Sequence, residues 1–185
     1  MTDALKEYIS KEILPRYDHF DKAHQRNHAD TVISNSMLLA SHYNVSEDMV
    51  YAIAAYHDTG LAVDRKTHHL VSGTIIREDK RLREWFTEDE IETMAQAVED
   101  HRASTDHETR SIYGRIVAEA DRNIETETII RRTIQYGLSH YPELDKEGNW
   151  QRTLEHLAEK YDTGGYLKLW IPESPNADRL RSLQA

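Results

Sequence analysis

Eight consecutive uncharged residues, Met49 to Tyr56, run directly into the adjacent polar pair His57-Asp58, and Gly60 follows two positions later. Ser46 is placed to cap a helix whose apolar positions Met49, Val50, Ile53 and Ala54 recur at helical spacing. His57 continues that stripe, four residues past Ile53 and three past Ala54, so its imidazole faces a core instead of solvent. A buried imidazole beside a carboxylate needs compensation. Gly60 closes the helix, which puts both groups in its last turn at a junction between helices. A chain that carries this feature must fold around it.

The remaining pattern is helical. Leu5, Tyr8, Ile9 and Ile13 predict a first helix over 4–14 that ends at Pro15, with a turn over 16–21. A second helix is expected from about Lys22 to His42, buried along Val32, Ile33, Ser36, Leu39 and Ala40, with His28 one turn before Val32. His19 and His24 align with nothing and read as surface or linker residues. Past the charged loop at Asp64-Arg65-Lys66, Thr67 is placed to cap a helix on which Ser72, Gly73 and Ile76 lie three, four and seven residues after His69. Those small residues allow a close approach to a neighbour, and His68 is the weaker candidate because it points about a hundred degrees away. Thr87 and Glu90 have the spacing of a capping box, and His101 lies on the apolar face of the helix they start, three residues after Val98. A helix over about 108–123 places Asp121 three residues past Ala118, on an apolar face where an uncompensated charge would cost several kcal/mol. Further helices are expected through Ile129 to Leu138 and around Trp150 to Tyr161; the short apolar run Tyr166 to Ile171 is expected to cap one end of the bundle.

No strand series, repeat or low-complexity tract interrupts this order, so the fold class is all-α: one helical bundle over residues 1–185. The absence of Cys excludes disulfides and thiolate metal sites, leaving His and carboxylate as ligands. A net charge of −10 argues against binding duplex nucleic acid. It leaves open a small phosphorylated substrate, because a cation and a few local Arg can reverse the sign of one pocket. No stretch looks like a membrane span or a signal peptide, so no membrane partner and a cytoplasmic location are expected.

Singly, an inward His is most simply a core residue satisfied by a carbonyl. His28, His57, Asp58, His69, His101 and Asp121 together, all at helix ends on apolar faces, share an economical solution in one cation. Imidazole and carboxylate without sulfur suit Mn²⁺, Fe²⁺, Co²⁺, Ni²⁺ or Zn²⁺. In order and context these residues resemble the HD-domain superfamily of metal-dependent phosphohydrolases: His28, then His57-Asp58 after an apolar run, then Asp121 within Ala120-Asp121-Arg122. The resemblance covers roughly residues 20 to 140, leaving about 141–185 as an extension.

The resemblance implies that His28, His57, Asp58 and Asp121 hold a divalent ion (the five above or Mg²⁺), and that His69 and His101 hold a second metal or contact phosphate. It implies a metal-activated water as nucleophile, with Asp58 in a catalytic position; a general acid must lie near the ion, and Asp64 is a candidate for it. Glu99 and Asp100 are further candidates for the acid, and Lys66, Arg102 and Arg122 are candidate phosphate contacts. The expected substrate is a nucleotide or another small phosphorylated molecule; the sequence sets no oligomeric state. The missing His-His pair at 101 and the missing Gly-Tyr-Pro after it disfavour the branch that cleaves cyclic dinucleotides. The alternatives are a non-catalytic, metal-containing nucleotide-binding or sensor module, and a helical interaction protein whose histidines are individually satisfied.

Overall fold

The computed structural model describes residues 2–102, 107–122 and 126–161, and all regular structure among them is helical. The chain divides into two compact units, Met1–Asp121 and Arg122–Ala185. The division falls at Asp121, earlier than the close of the core expected near residue 140. The run Tyr166 to Ile171 lies outside the described residues. No helix among those described is long and apolar enough to cross a membrane.

In the first unit, α1 (Asp3–Tyr8) passes without a break into a wider π-type turn over Ile9–Ile13. The chain then tightens to a 3-10 turn over Leu14–His19, with Pro15 at its start. Pro15 has no N–H to continue an i→i−4 ladder, so the helical run does not return to α geometry here. Leu5, Ile9, Ile13, Leu14 and Tyr17 are all buried, so the segment packs one face despite its changes of pitch.

Helix α2 (Arg26–Ala40) starts later than the sequence suggests, because Gln25 takes the extended N-cap conformation and Lys22–His24 forms its own short turn. Helix α3 (Glu47–Tyr56) is capped by Ser46, whose hydroxyl accepts from the Met49 N–H at 3.3 Å. Every residue of α3 from Met49 to Tyr56 is buried. It is the central rod of the unit, packed against α2, α5 (Glu88–Glu99) and α6 (Ile112–Asp121). Large apolar side chains buried this way contribute about 1.5–3 kcal/mol each. The capping box of α5 is formed: Thr87 N–H donates to Glu90 Oε1 at 3.0 Å and Glu90 N–H to Thr87 Oγ1 at 3.2 Å.

Between α3 and α4 (His68–Glu78) the chain makes a tight turn over Thr59–Ala62 that lies against α4. Gly60 is required there. A Cβ at this position would lie 2.1 Å from the His68 carbonyl oxygen. Gly73 allows the close approach of α4 to α5 that its small neighbours suggest, since a Cβ would lie 2.7 Å from Glu99 Cγ.

The second unit is described as a hairpin of α7 (Thr126–His140) and α8 (Lys146–Tyr161). Arg152 of α8 donates to the Thr133 carbonyl of α7 at 2.5 Å, and its guanidinium lies over the Tyr136 and Tyr141 rings.

Candidate metal centre

The end of α3 is held by side chains. In an α-helix the last carbonyls lack intrahelical donors. Here His57 Nδ1 donates to the Ala54 carbonyl (2.6 Å), the Tyr17 hydroxyl to Ala55 (2.8 Å) and Thr59 Oγ1 to Tyr56 (2.7 Å). The chain can therefore leave helical geometry at Asp58 with its polar groups satisfied, and the Gly60 N–H is taken up by Ser72 Oγ at 2.8 Å. This local break turns the His57 ring and the Asp58 carboxylate into the same space.

His28 from α2 and Asp121 from the end of α6 complete the group. His57 Nε2 lies 2.9 Å from Asp58 Oδ2, 3.3 Å from His28 Nε2 and 3.4 Å from Asp121 Oδ1. His28 Nε2 lies 3.0 Å from Asp121 Oδ1 and 3.4 Å from Asp58 Oδ2. His57 and Asp58 are buried, whereas the side chains of His28 and Asp121 are 25% and 24% exposed, so the cluster opens to solvent on one side.

Asp58 also uses its other oxygen. Oδ1 lies 3.1 Å from His68 Nε2 and 3.4 Å from His101 Nε2. His28, His57, Asp58 and Asp121 form one group able to hold an ion, and Asp58, His68 and His101 form another.

The donor set fits a divalent cation. His57 Nδ1 faces a carbonyl, which only accepts, so Nδ1 carries the proton and Nε2 of the neutral ring presents a bare lone pair to two carboxylates. Lone pairs at these distances repel unless a proton or a metal lies between them. Ligands about 2.0–2.2 Å from one ion sit about 3.0–3.5 Å from each other, close to the separations found here. His101 Nδ1 faces the Val98 carbonyl (2.5 Å) and His68 Nδ1 the Arg65 carbonyl (2.9 Å), so each ring is locked by the residue three before it. Such outer bonds orient metal-binding imidazoles and raise their basicity.

Without a cation the same geometry calls for protons. Burial opposes charge on His28, but Asp121 and Asp58 outweigh it and push the imidazole up to about 9. His57 and His68 are raised against the same opposition, chiefly by Asp58 and, for His57, also by Asp121. The Asp58 and Asp121 carboxyls are held well below the usual range, because the surrounding imidazoles overcome the burial penalty.

The structure places the remaining candidates as follows. His68, not His69, reaches Asp58. His69 instead turns its Nδ1 toward the Arg102 guanidinium at 3.3 Å, and burial together with that cation lowers its imidazole to about 4. Arg102 also donates to the Lys66 carbonyl at 2.7 Å, while Lys66 itself is exposed. The Asp64 carboxylate accepts from Lys66 N–H, Thr67 N–H and Thr67 Oγ1, bonds that lower its pKa and shape the loop. Glu99 accepts from Arg77 and Arg110, and Asp100 is paired with Arg110 and His107. Arg122 begins the second unit. His24, expected as a linker residue, packs edge-on to His28 with ring centroids 5.7 Å apart. Tyr17 carries no periodic signal in the sequence, although its hydroxyl touches the helix end that forms the site.

The HD domain family model matches residues 26–123, more than half of the chain and the span that holds both groups. The chain belongs to the HD-domain family. The crystal structure of a predicted HD superfamily hydrolase from an uncultured Thermotogales bacterium is similar over 83% of this chain and 85% of that one, with 18% sequence identity and a TM-score of 0.53. At that identity the likeness shows the fold. No curated protein matches the chain.

Proposed function

We propose that this HD-domain chain is a divalent-metal-dependent phosphohydrolase, cleaving a phosphoester or phosphoanhydride of a nucleotide or other small phosphorylated substrate. The observation that supports it most is the convergence of the His28 and His57 Nε2 atoms on the Asp58 and Asp121 carboxylates, in a cluster open to solvent on one side. Mn²⁺, Fe²⁺, Co²⁺, Ni²⁺, Zn²⁺ and Mg²⁺ are the candidate ions. Bound there, such an ion supplies Lewis acidity toward a phosphoryl oxygen and lowers the pKa of water. The chain's own part is to hold and orient. His57 is fixed by Ala54, Asp58 spans both groups, and Arg102, anchored on Lys66 and His69, supplies a cation for a phosphoryl oxygen. Lys66 is a further phosphate contact in this reading.

The test is phosphate release from nucleoside mono-, di- and triphosphates and generic phosphoesters, using metal-stripped protein with single divalent ions restored. Metal-dependent turnover that Asp121→Ala abolishes while far-UV helicity persists is the expected result. Turnover retained in that variant would reject the site. Nucleotide-induced thermal stabilisation without turnover would favour the binding-module alternative.

A further inference from the structure

Asp58 is the only residue common to both groups, so the setting of its carboxylate decides the geometry of each. Its own backbone is past the regular end of α3, with φ −111° and ψ 8°, and the helix ladder no longer holds it. What holds its N–H comes from far away in sequence: the Tyr17 hydroxyl oxygen accepts it at 3.2 Å. The same hydroxyl donates to the Ala55 carbonyl at 2.8 Å, so one oxygen bridges the last turn of α3 to the second residue beyond it. Tyr17 is fully buried and its ring packs obliquely on His57, with centroids 6.3 Å apart.

We infer that Tyr17 is a positioning residue for the metal centre, setting the Asp58 carboxylate through its main chain so that one oxygen serves each group. This rests on the metal-centre reading above. Without the hydroxyl, the Ala55 carbonyl and the Asp58 N–H are left buried and unpaired, and the peptide at 58 is free to rotate toward other partners. The ring would still fill its space, so the loss falls on direction and leaves packing largely intact.

The fold supplies a matched control. Tyr56 is equally buried and lies on α3 itself, but its hydroxyl donates to Asp79, away from the cluster, at 2.5 Å. Both Tyr→Phe variants lose one buried hydroxyl; only one loses contact with Asp58. The experiment is Co²⁺ titration of the full metal-stripped chain, followed by visible absorption, for wild type, Tyr17→Phe and Tyr56→Phe, with far-UV circular dichroism as the measure of folding.

Tyr17→Phe is expected to stay helical, to bind Co²⁺ about 10–100-fold more weakly, as changes to outer-shell partners typically do, and to show an altered visible spectrum. Tyr56→Phe is expected to keep wild-type affinity and spectrum even where its melting temperature falls. Unchanged cobalt affinity in Tyr17→Phe, an equal loss in Tyr56→Phe, or loss of helicity confined to Tyr17→Phe would each overturn the inference. Wild-type protein that fails to bind Co²⁺ would instead remove the metal-centre reading on which it stands.

Discussion

The two oxygens of Asp58 face differently built halves of one site. On the Oδ2 side a second carboxylate, Asp121, joins two imidazoles, giving two negative charges to offset a dication. On the Oδ1 side, among the described residues, His68 and His101 have only the shared carboxylate. The first half is thus the stronger cation site. The second depends on Asp58 being correctly turned, and on whatever oxygen a substrate or solvent brings. In the proposed reading one residue's orientation governs both, and the anionic half is expected to supply most of the affinity.

The largest expected effect comes from removing the shared group. Asp58→Asn should lower divalent-ion affinity by two to four orders of magnitude, the scale of about 3–5 kcal/mol for stripping one partner from a buried ionic cluster. Isothermal titration with Mn²⁺ measures it, and near-wild-type binding would break the comparison. A smaller, one-sided effect is expected from His68→Ala: weaker binding of a second equivalent by about tenfold, roughly 1.4 kcal/mol, with the first equivalent unchanged. His69→Ala should leave both equivalents in place, and a reversal of those two outcomes would restore His69 to the site.

The smallest expected effect is in pH. His28 rises from 6.5 to about 9 in the metal-free fold, so its contribution to stability is present below about pH 6.5 and fades as pH climbs through about 9. Metal must displace those protons. The gain in melting temperature on adding Mn²⁺ should therefore grow between about pH 6 and about pH 8.5, a trend that scanning calorimetry would show absent or inverted if the cluster did not hold protons.

Much of this site could be read from the chain itself. His28 and Asp121 sit on apolar stripes of α2 and α6, His57 and His101 lie where the stripes of α3 and α5 run on past their ends, and Asp58 adjoins His57; the structure brings all five together. The choice between His68 and His69 could not be made that way. Both stand at the first turn of α4 beside the stripe Ser72, Gly73 and Ile76: His68 lies four and eight residues before Ser72 and Ile76, and His69 lies three, four and seven before all three. What decides is tertiary, namely the Gly60 turn pressed on the His68 backbone and Arg102 drawing His69 aside. The loop bonds of Asp64 are not legible either, since a carboxylate near a cluster and one that shapes its own loop have the same sequence. Tyr17 lies in a segment of changing pitch, where no period exists to assign its hydroxyl a direction.

The three imidazole locks share one feature: each accepting oxygen belongs to the main chain, at Ala54, Arg65 and Val98. Every amino acid carries that oxygen. The orienting partner is thus independent of side-chain identity at those positions, and substitutions that keep the backbone path leave the lock in place. For inheritance, this means that the outer shell of three histidines can drift in sequence without drifting in function. Relatives that share the site should be recognised by the spacing of ring and carbonyl, three residues apart, more readily than by the residues in between.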